Sequence, residues 1–334
     1  MKIAIFEVEP WEEDAFVALG RQHEVAFEAE RLGPGLAEKH KDAAVISTFI
    51  YSDLGCEVLE RFDDLRLIAT RSTGIDHIDM DFCADNHIKV ANVPSYGENT
   101  VAEHAFALLL AISHRLVEAV DRTRRGDFTI EGLEGFDLEG RTMGIIGTGN
   151  IGLNAARIAK GFGMEVLGFD VAPRQEAAAR IGFAYVGVDE LLARSDVISL
   201  HVPGNDKTRN LIADAEFDKM RDGVVLINTS RGTVVETRAL LKALAGGKLR
   251  AAGLDVIPEE PIVREEAELL RSFFEREQRL DTLLADHILL RMRNVVITPH
   301  TAFFTREAVQ RILDVSHDNI ASFVAGKPEN IVSG

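Results

Sequence analysis

The chain has 334 residues, enough for two domains of ordinary size, each with its own buried core, so a disulfide-stapled miniprotein is excluded. Its 37 Lys plus Arg stand against 54 Asp plus Glu, and the formal charge of −17 argues against a nucleic-acid-binding protein while leaving room for one or two local cations to hold a small anion. With 46% hydrophobic and 27% charged residues, the composition is that of a globular protein, neither disordered nor membrane-spanning.

The N-terminus, MKIAIFEVEP, has a brief apolar stretch followed at once by acidic residues, so no secretory signal is expected and a cytoplasmic setting is inferred. The two cysteines, Cys56 and Cys83, have no metal-like spacing and read as buried, chemically quiet thiols; no metal is expected. Candidate strands in the first hundred residues are KIAIFEV (2–8), AAVIST (43–48), LRLIATR (65–71) and IKVANV (88–93), which make one small α/β domain.

From Asn99 an apolar face persists for more than twenty residues and stops at Gly126, which predicts one long helix connecting two domains. Its AFALLLAI run at 105–112 is far too short for a membrane span. Thr100 and Glu103 have capping-box spacing at its start. Strand patterns then resume as TMGIIG (142–147), EVLGFD (165–170), DVISLHV (196–202), GVVLINT (223–229), AAGLDV (251–256) and NVVITP (294–299), which predict a doubly wound parallel sheet of six strands. Between Pro261 and Arg293 a charged stretch with helical spacing at Val263, Ala267, Leu270 and Phe274 reads as a packed surface insertion, with a partner-binding or dimer-contact helix as the alternative. A last amphipathic helix is expected near residues 305–325, packing back on the first domain.

Gly147, Gly149 and Gly152 form GTGNIG directly after an apolar strand and before a helical pattern. In that context the first glycine permits the tight turn, the second lets the backbone approach a pyrophosphate, and the third lets helix and strand pack closely. The helix N-terminus adds free N–H groups and a positive dipole end. Asp170 closes the next strand, where a carboxylate accepts from the adenosine ribose hydroxyls and repels a 2′-phosphate. This favours NAD over NADP, although Arg174, four residues on, is within sequence reach of such a phosphate.

Three further residues follow strands of the same sheet. Arg231 offers a guanidinium that can hold a carboxylate and polarise an adjacent carbonyl, as a keto acid presents them. Glu260 and His300 also follow strands, and a histidine with a carboxylate partner is a competent proton donor. Each alone has a bland reading as a surface charge or a satisfied histidine; their shared placement gives them weight.

The chain resembles the D-isomer-specific 2-hydroxyacid dehydrogenases, especially their D-lactate dehydrogenase branch. The resemblance is carried in order by RSTGIDHIDMDFC (71–83), VPSYGENTVAEHAFALLL (93–110), GIIGTGNIG (144–152), DVISLHVP (196–203), LINTSRGTVV (226–235), GLDV with EEP (253–261) and TPHTAFFTREAV (298–309). It implies a Rossmann-type domain over 99–299 inserted into a flavodoxin-like substrate domain over 1–98 and 300–334, with the reaction in the cleft between them. It implies that Arg231 binds the substrate carboxylate, that His300 is the general acid and base, and that Glu260 pairs with it. Thr73 and Gly74 would cradle the carboxylate through backbone N–H groups, and Tyr96 and Phe303 would border the pocket. Asn150, Ile151, Asp170, Val202, Pro203, Thr208, Thr229, Ser230 and Asp255, with the three loop glycines, would line NAD. Homodimerisation through the NAD domains is implied as well, with the region around the long helix and GDFTIEGLEGFDLEGRTMG as its place.

Phosphoglycerate-type relatives carry paired glycines soon after the histidine, whereas this chain has HTAFFT, where Phe303 and Phe304 would narrow the pocket and favour a small substrate such as pyruvate. Phe304 stands where the lactate branch often has Tyr. The alternatives are reduction of glyoxylate or hydroxypyruvate, a phosphoglycerate-type reaction, or an NAD-sensing corepressor-like scaffold.

Overall fold

A computed structural model of the chain describes residues 1–257 and 287–332. The chain forms two compact units, one of residues 1–96 together with the segment from Thr305, the other spanning Gly97–Phe304.

The first unit is a parallel sheet of β1 (Lys2–Phe6), β2 (Glu24–Glu28), β3 (Val45–Thr48), β4 (Leu67–Thr70) and β5 (Lys89–Ala91) in the order β2-β1-β3-β4-β5, the flavodoxin-like arrangement expected. β1 is nearly all apolar because both of its faces are covered. Ala4 and Phe6 face a core containing Leu32, Val58, Leu59 and Ile68, whereas Ile3 and Ile5 face one containing Leu19, Val309, Leu313 and Ile320. The short helices α1 (Pro34–Lys39), α2 (Cys56–Leu59) and α3 (Met80–Asp85) punctuate these strands. β2 was not among the expected strands: its glutamates at both ends and half-exposed flank at the sheet edge weaken the apolar pattern. Both cysteines are free, but only Cys83 is buried, and burial pushes its thiol up to about 11. Cys56 is exposed at the first position of α2, which corrects the expectation of two buried thiols.

The second unit carries β6 (Thr142–Ile146), β7 (Glu165–Phe169), β8 (Ala184–Tyr185), β9 (Val197–Leu200), β10 (Val224–Asn228), β11 (Leu249–Leu254) and β12 (Val295–Ile297). Their order is β12-β11-β10-β9-β6-β7-β8, all pairs parallel, so the strand order reverses between β6 and β9 as in dinucleotide-binding sheets. The sheet has seven described strands rather than six, because the two-residue β8 is too short to produce a readable pattern. Helices α4 (Glu98–Ser113), α5 (Leu116–Arg124), α6 (Asn150–Gly161), α7 (Gln175–Ile181), α8 (Val188–Arg194), α9 (Asp214–Lys219) and α10 (Thr237–Ala245) accompany it. α4 and α6 bury Ala105, Phe106, Leu109, Ala155 and Ala159 against Met143, Ile145, Val225 and Ile227 on one face.

The single long helix expected after Asn99 is in fact two. α4 and α5 meet at a bend of 63°, with Arg115 between them in the left-handed conformation at φ +49. The cause is a tertiary contact: the Phe136 amide donates to the Ser113 carbonyl at 2.9 Å, and a Cβ on Gly135 would lie 2.1 Å from that oxygen, so the segment after α5 closes onto the end of α4. The expected capping box is absent too. Gly97 is the N-cap, Thr100 lies buried inside the first turns, and Glu103 accepts from the Asn99 amide at 3.4 Å. Among the described residues no single helix is long and apolar enough to cross a membrane. Helix α11 (Arg306–Val324) begins where the Thr305 hydroxyl accepts the Ala308 amide at 3.3 Å, and it buries Val309, Leu313 and Ile320 in the first unit. The stretch from Pro258 to Asp286, which holds Glu260 and most of the charged helical pattern, lies outside the described residues.

Candidate active site

In the second unit the chain leaves six neighbouring strands at the same edge of the sheet, because all run parallel, and the residues singled out in the sequence sit at those exits. Gly147 follows β6, Asp170 β7, Val202 β9, Arg231 β10, Asp255 β11 and His300 β12. This is the edge at which open parallel sheets bind ligands.

The glycine loop has a geometry that side chains would block. Gly147 has φ +91, and a Cβ there would sit 2.6 Å from the His201 carbonyl oxygen. A Cβ on Gly152 would sit 2.0 Å from the carbonyl oxygen of Gly147, so strand and helix approach too closely for any other residue. Gly149, by contrast, faces open space, and α6 begins immediately after it with its N-terminal amides exposed to that space. Asn150 is fixed at the first position of α6 by accepting from Arg174 Nη1 at 2.8 Å and donating to Glu98 at 3.4 Å. Ile151, beside it, packs against the α4–α6 core.

Asp170 accepts from the Thr148 amide at 2.6 Å, the Thr148 hydroxyl at 3.1 Å and the Ala172 amide at 2.9 Å. Burial pushes its carboxyl up, but the Ala172 and Thr148 donors and the charge of Arg174 outweigh this and hold it below its ordinary value. The loop after β9 is closed by Thr208, whose hydroxyl donates to the Pro203 carbonyl at 2.6 Å and accepts from the Asn205 amide at 3.0 Å, while Val202 packs on the core. Thr229 has a buried hydroxyl with no partner among the described residues. An open glycine cradle at a helix N-terminus, an ionised carboxylate after the next strand and an unpartnered buried hydroxyl fit a dinucleotide.

Arg231 is presented by a small polar turn. Asn228, 1% exposed, accepts from the Ser230 amide and hydroxyl at 3.0 and 2.7 Å and donates to the Arg231 carbonyl at 3.0 Å. Arg231 Nη1 in turn donates to the Ser230 carbonyl at 2.9 Å. A Cβ on Gly204 would lie 2.5 Å from Arg231 Cγ, so the loop after β9 packs directly on the arginine stem.

His300 has φ +54, a left-handed conformation that costs a non-glycine residue about 1–3 kcal/mol and persists only when its surroundings impose it. Asp255 imposes it. The Asp255 carbonyl accepts the His300 amide at 3.0 Å, and its carboxylate accepts the Thr298 hydroxyl, the Thr301 amide at 2.9 Å and the Ala302 amide at 2.8 Å. Burial would raise the Asp255 carboxyl; the nearby His104 imidazole and the hydrogen bonds from Thr298, Ala302 and Thr301 prevail and lower it. Phe303 packs edge-on against Phe304 at 5.8 Å, and the Phe304 ring is 60% exposed.

In the first unit, Thr73 and Gly74 lie in the loop after β4. The Thr73 hydroxyl donates to the Val93 carbonyl at 2.7 Å, its carbonyl accepts from Asn92 at 2.8 Å, and Ser72 donates to the Gly74 carbonyl at 2.6 Å. The amides of Thr73 and Gly74 donate to no acceptor among the described residues. Tyr96 is anchored through its carbonyl, which accepts Arg311 Nε at 2.6 Å. Glu260 lies outside the described residues.

Sequence reasoning passed over His104, Asn228 and Thr298. For Asn228 a signal existed, a polar residue ending an otherwise apolar strand before a turn; His104 carries none, since a lone histidine on a helix face has no local signature.

A family profile described as the D-isomer specific 2-hydroxyacid dehydrogenase NAD binding domain matches residues 106–302. A D-lactate dehydrogenase of Escherichia coli is 33% identical over 336 residues, covering 98% of each chain. A glyoxylate reductase of Korarchaeum cryptofilum is 35% identical over 303 residues, covering 89% of this chain and 85% of the relative. The crystal structure of Aquifex aeolicus D-lactate dehydrogenase complexed with NAD and lactic acid superposes with a TM-score of 0.87 at 35% identity, covering 99% of both chains.

Proposed function

The chain belongs to the D-isomer-specific 2-hydroxyacid dehydrogenases, NAD-dependent oxidoreductases, and from that premise we propose that it reduces a small 2-keto acid, pyruvate foremost, to the D-2-hydroxy acid. NADH, when bound, supplies the hydride that adds to the keto carbon. His300 gives a proton to the carbonyl oxygen as negative charge develops there, so the carbonyl becomes a hydroxyl and the histidine is left neutral. Arg231 binds the substrate carboxylate and polarises the adjacent carbonyl, supplying orientation and charge stabilisation together.

The observation that carries this reading is the imposed left-handed placement of His300 at the strand exit next to that of Asp255, on the edge that also holds the glycine loop and Arg231. His300→Gln tests it: turnover of pyruvate should fall by orders of magnitude while NADH affinity stays within about threefold. Near-normal turnover would remove His300 from the mechanism. Glyoxylate is the second reading, favoured by the glyoxylate reductase among the relatives, and a panel of 2-keto acids ranked by kcat/KM decides between them.

We further propose a homodimer formed through α5 and the segment after it. Leu116, Val117, Phe128 and Ile130 are 53%, 56%, 78% and 85% exposed, an apolar surface that a second copy would cover. Light scattering should give twice the 36.7 kDa chain mass, and Phe128→Glu with Ile130→Glu should lower it towards one.

A further inference from the structure

His104 stands on α4 with its side chain 21% exposed, and its Nε2 lies 2.9 Å from Thr298 Oγ1 and 3.4 Å from Asp255 Oδ1. The direction of these bonds follows from counting protons. A hydroxyl has one to give, and Thr298 gives it to Asp255 Oδ1, an ionised carboxylate that can only accept. Thr298 Oγ1 is therefore the acceptor toward the histidine, and His104 must carry a proton on Nε2 whatever the state of its other nitrogen.

Donors then run in one direction, from His104 Nε2–H to Thr298 Oγ1–H to the Asp255 carboxylate. That carboxylate also receives the amides of Thr301 and Ala302, and the Asp255 carbonyl receives the amide of His300. Four donors from residues 298–302 thus converge on one buried residue, Asp255, and restrain the loop. His104 joins the set from a different element, the helix α4, and ties the loop to it.

We propose that His104 is a positioning residue for His300: by holding the Thr298 hydroxyl on Asp255, it keeps the loop in the left-handed turn that presents the imidazole. Its kinetic consequence rests on the reading of His300 as the proton donor; its structural consequence does not. A network of this kind behaves as a unit, so removing its outermost donor should loosen the inner bonds as well.

The test uses three variants of the full chain and two readouts. His104→Phe keeps a flat ring and removes the donor, His104→Gln restores an N–H at similar reach, and Thr298→Val cuts the link from the other side. Hydrogen exchange in the absence of cofactor reports on the Thr301 and Ala302 amides, and steady-state reduction of pyruvate reports on presentation of His300. His104→Phe and Thr298→Val should each speed exchange at those two amides about tenfold or more and lower kcat about tenfold, with KM for NADH within about threefold; His104→Gln should return both readouts to within about threefold of the parent. Unchanged exchange or unchanged kcat in His104→Phe, failure of Gln to restore what Phe removes, or acceleration spread through α4 and the sheet would each overturn the proposal. A parent protein that turns over no 2-keto acid would refute the functional reading instead, and the exchange measurement would still decide whether His104 braces the loop.

Discussion

The His300 amide donates to the Asp255 carbonyl at 3.0 Å, so the residue proposed to move the proton is tethered to the end of a neighbouring strand as well as to its own. Asp255 provides that anchor with its main chain and the restraint on the following residues with its carboxylate. Asp255→Asn keeps the shape and removes an acceptor. Whichever way the new amide turns, its NH2 faces a backbone N–H, of Ala302 or of Thr301, and one buried donor is left unsatisfied at a cost of about 1–3 kcal/mol. We expect kcat for pyruvate to fall about 10- to 100-fold while NADH affinity, followed by fluorescence titration, stays within about threefold. An unaltered kcat would separate Asp255 from the presentation of His300.

Asn228 has the corresponding place beneath Arg231. Its side chain satisfies the Ser230 amide, the Ser230 hydroxyl and the Arg231 carbonyl at once, and its burial leaves water no access to replace it. Asn228→Ala should cost about 1–3 kcal/mol of stability in urea unfolding and raise KM for the keto acid at least about tenfold, because the guanidinium is no longer held in register. A KM that does not move would mean the turn keeps its shape without the asparagine.

Much of this was legible in the chain itself, and the reasons are physical. β6, β9 and β10 are largely apolar because helices cover both faces of the sheet, and the glycine loop is readable because Gly147 and Gly152 stand where a Cβ would meet a carbonyl oxygen. Arg231 and His300 stood out as candidates because each follows shortly after a strand of that sheet. What escaped depends on contacts distant in sequence. The break at Arg115 is imposed by Phe136, whose amide takes a carbonyl that local periodicity assigns to the helix. The charged edge strand β2 is a strand only because β1 pairs with it, and the link from His104 to Thr298 spans 194 positions.

Cofactor choice should turn on Asp170. If Asp170 faces the adenosine ribose as proposed, its ionised carboxylate repels a 2′-phosphate, while Arg174, four residues later, is held on Asn150 by a 2.8 Å bond. Asp170→Ser removes the repulsion and keeps the arginine. The ratio of kcat/KM for NADPH to that for NADH should rise by about tenfold or more, with most of the change in the NADPH value. If the ratio stays constant, discrimination lies elsewhere in the loop.

His201, at the end of β9, sets an acid limit on folding. Burial pushes its imidazole from 6.5 down to about 4, and its Nε2 is engaged by the Ser199 hydroxyl at 2.9 Å while its Nδ1 is buried without a partner among the described residues. Between those two values the unfolded chain holds a proton that the folded chain refuses. Stability is therefore complete above pH 6.5 and declines as pH falls toward 4, by up to about 3 kcal/mol. Asp255 and Asp170, whose carboxyls lie below their ordinary 3.8, add a separate loss that begins only at lower pH. His201→Gln removes the titrating group and keeps an amide for Ser199. Urea unfolding from pH 7.5 to 4.5 should show a falling stability in the parent and a nearly flat one in the variant, and parallel curves would place the acid sensitivity on another group.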